Sequence, residues 1–145
     1  MPTRKLGFSA LFKAVYTLFT ADGSLTSSYT IYNHVPKNAR HPYIVIKNPI
    51  GVPSPSFENR DSAFEANSFY VDVFGDDDNL GDKQVAEMMN NIVRELDGTA
   101  LSIDDYSTPP LVRLEYANIV RDEVEDGKIT YHGITRWVVH MNPSA

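Results

Sequence analysis

Cysteine is absent from this chain of 145 residues, which removes disulfide bridges, thiolate zinc sites and a cysteine nucleophile. A cysteine-free composition fits a reducing compartment. No apolar run approaches the roughly 20 residues that cross a bilayer as a helix, so no membrane partner is expected. Positive charge is scarce: 13 Lys and Arg stand against 19 Asp and Glu, and the isoelectric point is near 5.1. A basic stripe for specific nucleic-acid recognition is therefore not expected. The motifs of catalysis are missing as well. There is no G-x-S-x-G elbow, no phosphate-binding loop, no dinucleotide fingerprint and no H-E-x-x-H pair. His34, His41, His132 and His140 are scattered. Neither a catalytic residue nor a metal or cofactor is expected.

What is present is an ordinary globular composition, 42% hydrophobic with 8 Tyr and 7 Phe, enough to offset the entropy of ordering. Its length suits one domain over residues 1–145. The charge is uneven. Residues 1–47 carry six basic side chains against Asp22 alone, a net of +5, and the rest carry seven against eighteen, a net of −11. Such polarity suits head-to-tail self-association, or a surface that repels nucleic acid. Solvated faces that happen to be acidic explain it equally well.

Two segments have helical periodicity. From about Thr3 to Phe19, residues Phe8, Leu11, Phe12, Val15, Leu18 and Phe19 form one apolar stripe, with Thr3 as N-cap. In the second segment Val85, Met88, Met89, Ile92, Val93 and Leu96 form another, with Gly98 placed to end the helix. The acids before it, Asp76-Asp77-Asp78-Asn79, meet the first and third positions of a calcium loop, and Gly81 and Glu87 meet the sixth and twelfth. Leu80 occupies the fifth, however, and a capping role for Asn79 and Asp82 explains the same residues without a metal.

Strand patterns fill most of the remainder. Thr30-Ile31-Tyr32 and Pro42 to Ile46 read as strands, as does Phe64 to Phe74, where Phe69, Val71 and Val73 oppose Tyr70, Asp72 and Phe74. Leu111 to Val124 and Ile129 to Met141 flank Asp126-Gly127, a hairpin signal. Strands so long suit a projecting hairpin or a sheet continued across a subunit boundary. Between Asn48 and Ala63 the prolines Pro49, Pro53 and Pro55 predict a long loop or edge excursion, with Phe57 as an anchor for a partner. The expected fold is α+β: a mainly antiparallel sheet packed by two amphipathic helices, with a long C-terminal β-hairpin.

The order of these elements resembles the tail-terminator or tail-completion proteins of tailed bacteriophages. The resemblance runs from about Leu6 to Met141. It rests on Ala10-Leu11-Phe12-Lys13-Ala14-Val15-Tyr16, Thr20-Ala21-Asp22, Ile31-Tyr32, Val35-Pro36 and Pro42-Tyr43-Ile44-Val45-Ile46. Tyr70-Val71-Asp72-Val73-Phe74, Leu96-Asp97-Gly98 and Arg136-Trp137 continue it. The loop at 48–63 is longer than the common pattern. This likeness implies a non-enzymatic virion protein, assembled in the host cytoplasm. It would form a ring, usually sixfold, that caps the head-proximal end of the tail tube and docks the neck. The implied partners are further copies, the tail tube protein, a neck or connector protein, and genome DNA in passage through the lumen.

For such a ring the candidate interface residues are Lys37, Arg40, Lys47 and Phe57. The candidate lumen acids, which would keep DNA from sticking, are Asp76, Asp77, Asp78, Asp122, Glu123, Glu125 and Asp126. Two alternatives stand beside this reading: a neck or connector ring protein beneath the portal, and a small cytoplasmic ligand-binding or enzymatic α+β domain.

Overall fold

A computed structural model of the chain describes residues 8–21, 29–40, 42–54, 64–76, 81–103, 111–123 and 129–141. Helix α1 spans Phe8–Ala21. Strand β1 (Thr30–Tyr32) and strand β2 (Tyr43–Ser54) follow, then β3 (Phe64–Asp76). Helix α2 spans Asp82–Leu96, and β4 (Val112–Glu123) and β5 (Ile129–Met141) complete the order. The strands form one sheet in the order β1-β2-β3-β5-β4. All neighbours are antiparallel except β1 and β2, which run parallel across a ten-residue link. The α+β architecture and its C-terminal hairpin are as expected.

Alternation places the core on one side of the sheet. Phe69, Val71 and Val73 of β3 lie opposite Trp137, Thr135 and Gly133 of β5, and Ile46 and Ile44 of β2 extend the same face. Both helices cover this side, where α1 buries Leu11, Val15 and Phe19 and α2 buries Val85, Met88, Met89, Ile92 and Leu96. Two polar side chains inside are matched to each other. Trp137 Nε1 donates to Thr135 Oγ1 at 2.8 Å, and that hydroxyl donates to the Val71 carbonyl. By alternation alone, both faces of β5 look mixed. The structure makes the face of Tyr131, Gly133, Thr135, Trp137 and Val139 wholly buried. Gly133 is small because α2 lies against it.

Two expectations require correction. Of the two readings of the segment after Asn48, the long loop gives way to the edge excursion as far as Ser54, because β2 continues to that residue, paired with β3 down to Ser54–Phe64. A register shift between Lys47 and Ile50 takes in Pro49, as a bulge does. Since β1 pairs only with Tyr43 to Val45, the rest of β2 is an outer strand among the described residues, where prolines are tolerated. Phe57 lies outside the described residues. The second correction concerns the start of α2. Its N-cap position is Gly81, at φ 57°, and no side chain caps it. Asn79 lies outside the described residues. Asp76 belongs to a strand and Glu87 to a helix, so the calcium-loop spacing is not a loop. At the other end Gly98 has φ 74°, as its place after the helix predicts. The Thr3 cap of α1 also lies outside the described residues.

A side chain at residue 133 has no room. Its Cβ would lie 2.6 Å from Val73 Cγ2, 2.7 Å from Met89 Sδ and 2.8 Å from Val85 Cγ1. Gly133→Ala is expected to destabilise by about 1–3 kcal/mol through overpacking. The measurement is a drop in the urea midpoint with an unchanged slope, and an unchanged midpoint would show that α2 does not press on β5.

Candidate functional site

Among the described residues, no helix lies over the opposite face of the sheet. Register lines up its side chains in rows across the strands. Tyr43, Phe74, His132 and Val120 form one row; Val45, Asp72, Ile134 and Asn118 form the next. A third row holds Lys47, Tyr70, Arg136 and Tyr116, placed on this face by the β4 bulge between Leu114 and Tyr116.

An aromatic chain runs along the first row. Tyr32 meets Tyr43 edge-on at 5.6 Å, Tyr43 stacks on Phe74 at 5.0 Å, and Phe74 stacks on the His132 ring at 4.2 Å. Burial, followed by the neighbouring Tyr32, raises the Tyr43 hydroxyl above its ordinary pKa. Beside this chain sits a carboxylate. Asp72 is only 1% exposed, and its Oδ2 lies 2.7 Å from both Lys47 Nζ and His132 Nε2. An ionised carboxylate only accepts, so Nε2 carries the proton in this contact. The three residues come from three adjacent strands and tie them together on the uncovered side.

The interface and lumen candidates are distributed unevenly. Lys37 and Arg40 are exposed in the link between β1 and β2, where a turn is closed by Ala39 N–H to the Pro36 carbonyl. Lys47 lies apart from them, and its charge is engaged by Asp72. Asp76 and Asp122 flank Thr130 in one row at the end of the sheet, so the two acidic stretches meet there. Glu123 ends β4, while Asp77, Asp78, Glu125 and Asp126 lie outside the described residues.

A groove of about 440 Å³ lies between α1 and residues 100–102, with Ala10, Ala14, Leu18 and Leu101 in its wall. Its polar lining comes from Lys13, Thr17 and Ser102, which bring neither a carboxylate nor an imidazole to it. Among the described residues no group of three or more His, Asp or Glu is placed to hold a metal, and no helix is long and apolar enough to cross a membrane.

Among the described residues the distinctive chemistry thus lies on the sheet surface and not in this groove. A family model described as "Tail completion protein gp17" matches residues 13–138. The chain belongs to this tail completion protein family. It is thereby a structural protein of the bacteriophage virion, located in the tail. A similar solved structure is a chain of the "Virion of native gene transfer agent (GTA) particle". It has a TM-score of 0.72 and 16% identity, covering 94% of this chain and 97% of that one, and it shows a shared fold. None of the curated proteins matches.

Sequence reasoning did not find the Asp72 cluster. The signal was partial: Tyr70, Asp72 and Phe74 share a face by alternation, and so do His132 and Arg136. Their partnership depends on pairing across sixty residues. Asp72→Asn keeps the shape and removes the charge, which should cost about 1–3 kcal/mol. Urea unfolding measures it, and in combination with Lys47→Met the two losses should add to less than their sum. Full additivity would mean that the pair does not interact.

Proposed function

We propose that this tail completion protein forms a ring, sixfold in the pattern of tail terminators, at the head-proximal end of the tail tube. The ring ends tube growth and offers the neck its docking surface, so the chain works by contact and not by catalysis. Its partners are other copies of itself, the tube protein and a neck or connector protein. The observation that carries the reading is the family match over residues 13–138. The fold supports it: among the described residues both helices lie on one side, leaving the other sheet face, the β1 edge and the β4 edge past Leu114 for neighbours, the start of β4 being paired with residues 97–100.

Genome DNA passes through the lumen of such a ring and must not be held. Duplex DNA carries one negative charge per roughly 1.7 Å, so acids at the sheet end occupied by Asp76 would keep the path unbound. The assembled ring should show little affinity for duplex DNA at about 50 mM salt and no sequence preference. Tight binding that collapses as salt rises would contradict an acidic lumen.

Removing the chain from an otherwise complete phage tests the role itself. Electron microscopy should then show tubes longer and more variable than normal, unattached to heads. Tubes of normal length that merely lack heads would favour a neck or connector role. Normal joined virions would overturn both.

A further inference from the structure

The two edges of the sheet differ in character and lie level with each other. β4 forms one edge and β1 the other, about 19 Å apart at four strand spacings. On and beside β4, Leu111 is 48% exposed, Tyr116 50% and Ile119 36%. Tyr16 of α1 is the other exposed large hydrophobic among the described residues. An edge strand that shows apolar side chains is a site of association unless something covers it. This strand is partly protected against simple ladder growth. The Leu114 N–H donates to Asp97 Oδ1 at 3.0 Å, and the Ile119 N–H to Asn118 Oδ1 at 2.9 Å. A neighbour must therefore dock here chiefly through side chains.

Charge says which neighbour. β4 ends in exposed Asp122 and in Glu123, and the sequence continues to Glu125 and Asp126. Near the opposite edge, Lys37 and Arg40 are exposed in the link from β1 to β2. The row Tyr43, Phe74, His132 and Val120 crosses the sheet and sets the level. Asp122 lies two residues beyond that row, and Arg40 lies three residues before Tyr43, the residue that opens β2 at that end of the sheet. Two or three residues span at most about 7–11 Å.

We infer that the β4 edge of one copy docks head-to-tail against the edge that β1 and the outer part of β2 form in the next, with Ile119 level with β1, Tyr116 and Leu111 level with β2 past Val45, and Asp122 facing Lys37 and Arg40. The inference rests on the ring reading above. Rotation about a ring axis leaves height along that axis unchanged, so opposite charges meet only if they start at the same level. With the strands running along the axis, the two corners satisfy that condition in every copy. Lys47 has no part in this boundary because Asp72 holds it within the chain. Asp122 belongs to the boundary and not to the lumen, where Asp76 remains.

A charge swap tests the contact. One variant carries Lys37→Glu with Arg40→Glu, the other Asp122→Lys with Glu123→Lys, and assembly is followed by light scattering at fixed protein concentration and about 50 mM salt. Each variant alone should associate about tenfold more weakly than the wild type, since it reverses two charges at every boundary while each exposed ion pair contributes little by itself. An equimolar mixture should regain assembly, because copies alternating around a six-membered ring match at every boundary. A third variant, Tyr116→Asp, should weaken assembly at high salt as well. Melting curves check that each variant is folded. A wild type that assembles while both charge variants assemble equally well, or while their mixture regains nothing, overturns this contact and leaves the ring standing. A wild type that stays monomeric at every concentration overturns the ring, and the contact with it.

Discussion

Phe69, Val71, Val73 and Trp137 are all buried because α1 and α2 lie on the same side of the sheet. Among the described residues that asymmetry leaves a second face with no layer over it, spanned by four strands of 12 or 13 residues. A face of this kind has to hold its own strands together with side chains. Here Asp72 does so, accepting from Lys47 on one neighbouring strand and His132 on the other. Burying a carboxylate is costly unless it is paired, and two donors on one oxygen supply the pairing. The aromatic chain from Tyr32 to His132 joins the same strands in the neighbouring row. The charge balance around Asp72 is internal, so the uncovered face keeps its register without a partner.

The edges are a separate problem with a different solution. Asp97 and Asn118 occupy two outward N–H groups of β4, which limits indiscriminate strand addition. Tyr116, Leu111 and Ile119 nevertheless remain exposed on that strand and beside it. A subunit that must stay single until it meets the right neighbour benefits from this combination, in which backbone pairing is blunted and side-chain contact is available.

Much of the fold was legible in the residues. Helical spacing identified every buried residue of α2, and alternation identified which residues of β3 face the core, because each signal is confined to one element. The bulge near Pro49 was hidden by its own proline rule: proline argues against a central strand, and β2 is an outer one past Val45. The start of α2 misled for a related reason. Polar residues at Asn79 and Asp82 suggest a side-chain cap, yet Gly81 at positive φ makes the turn without one. The Asp72 cluster was illegible because it joins strands 25 and 60 residues apart in the chain, and periodicity carries no information about which strands are neighbours. The same limit hid the role of Lys47, which belongs by sequence to the basic segment and by its ion pair to Asp72.

The most direct measurement is a cryo-electron microscopy reconstruction of the head-to-tail junction in assembled particles. The chain should appear as a closed ring of identical copies at the end of the tail tube, each with its helices on one side of a five-stranded sheet. Adjacent copies should meet with β4 of one beside β1 and the outer part of β2 of the next. Density for a single copy, or a ring placed at the distal end of the tail, would contradict the assignment of this fold to ending the tube at the head.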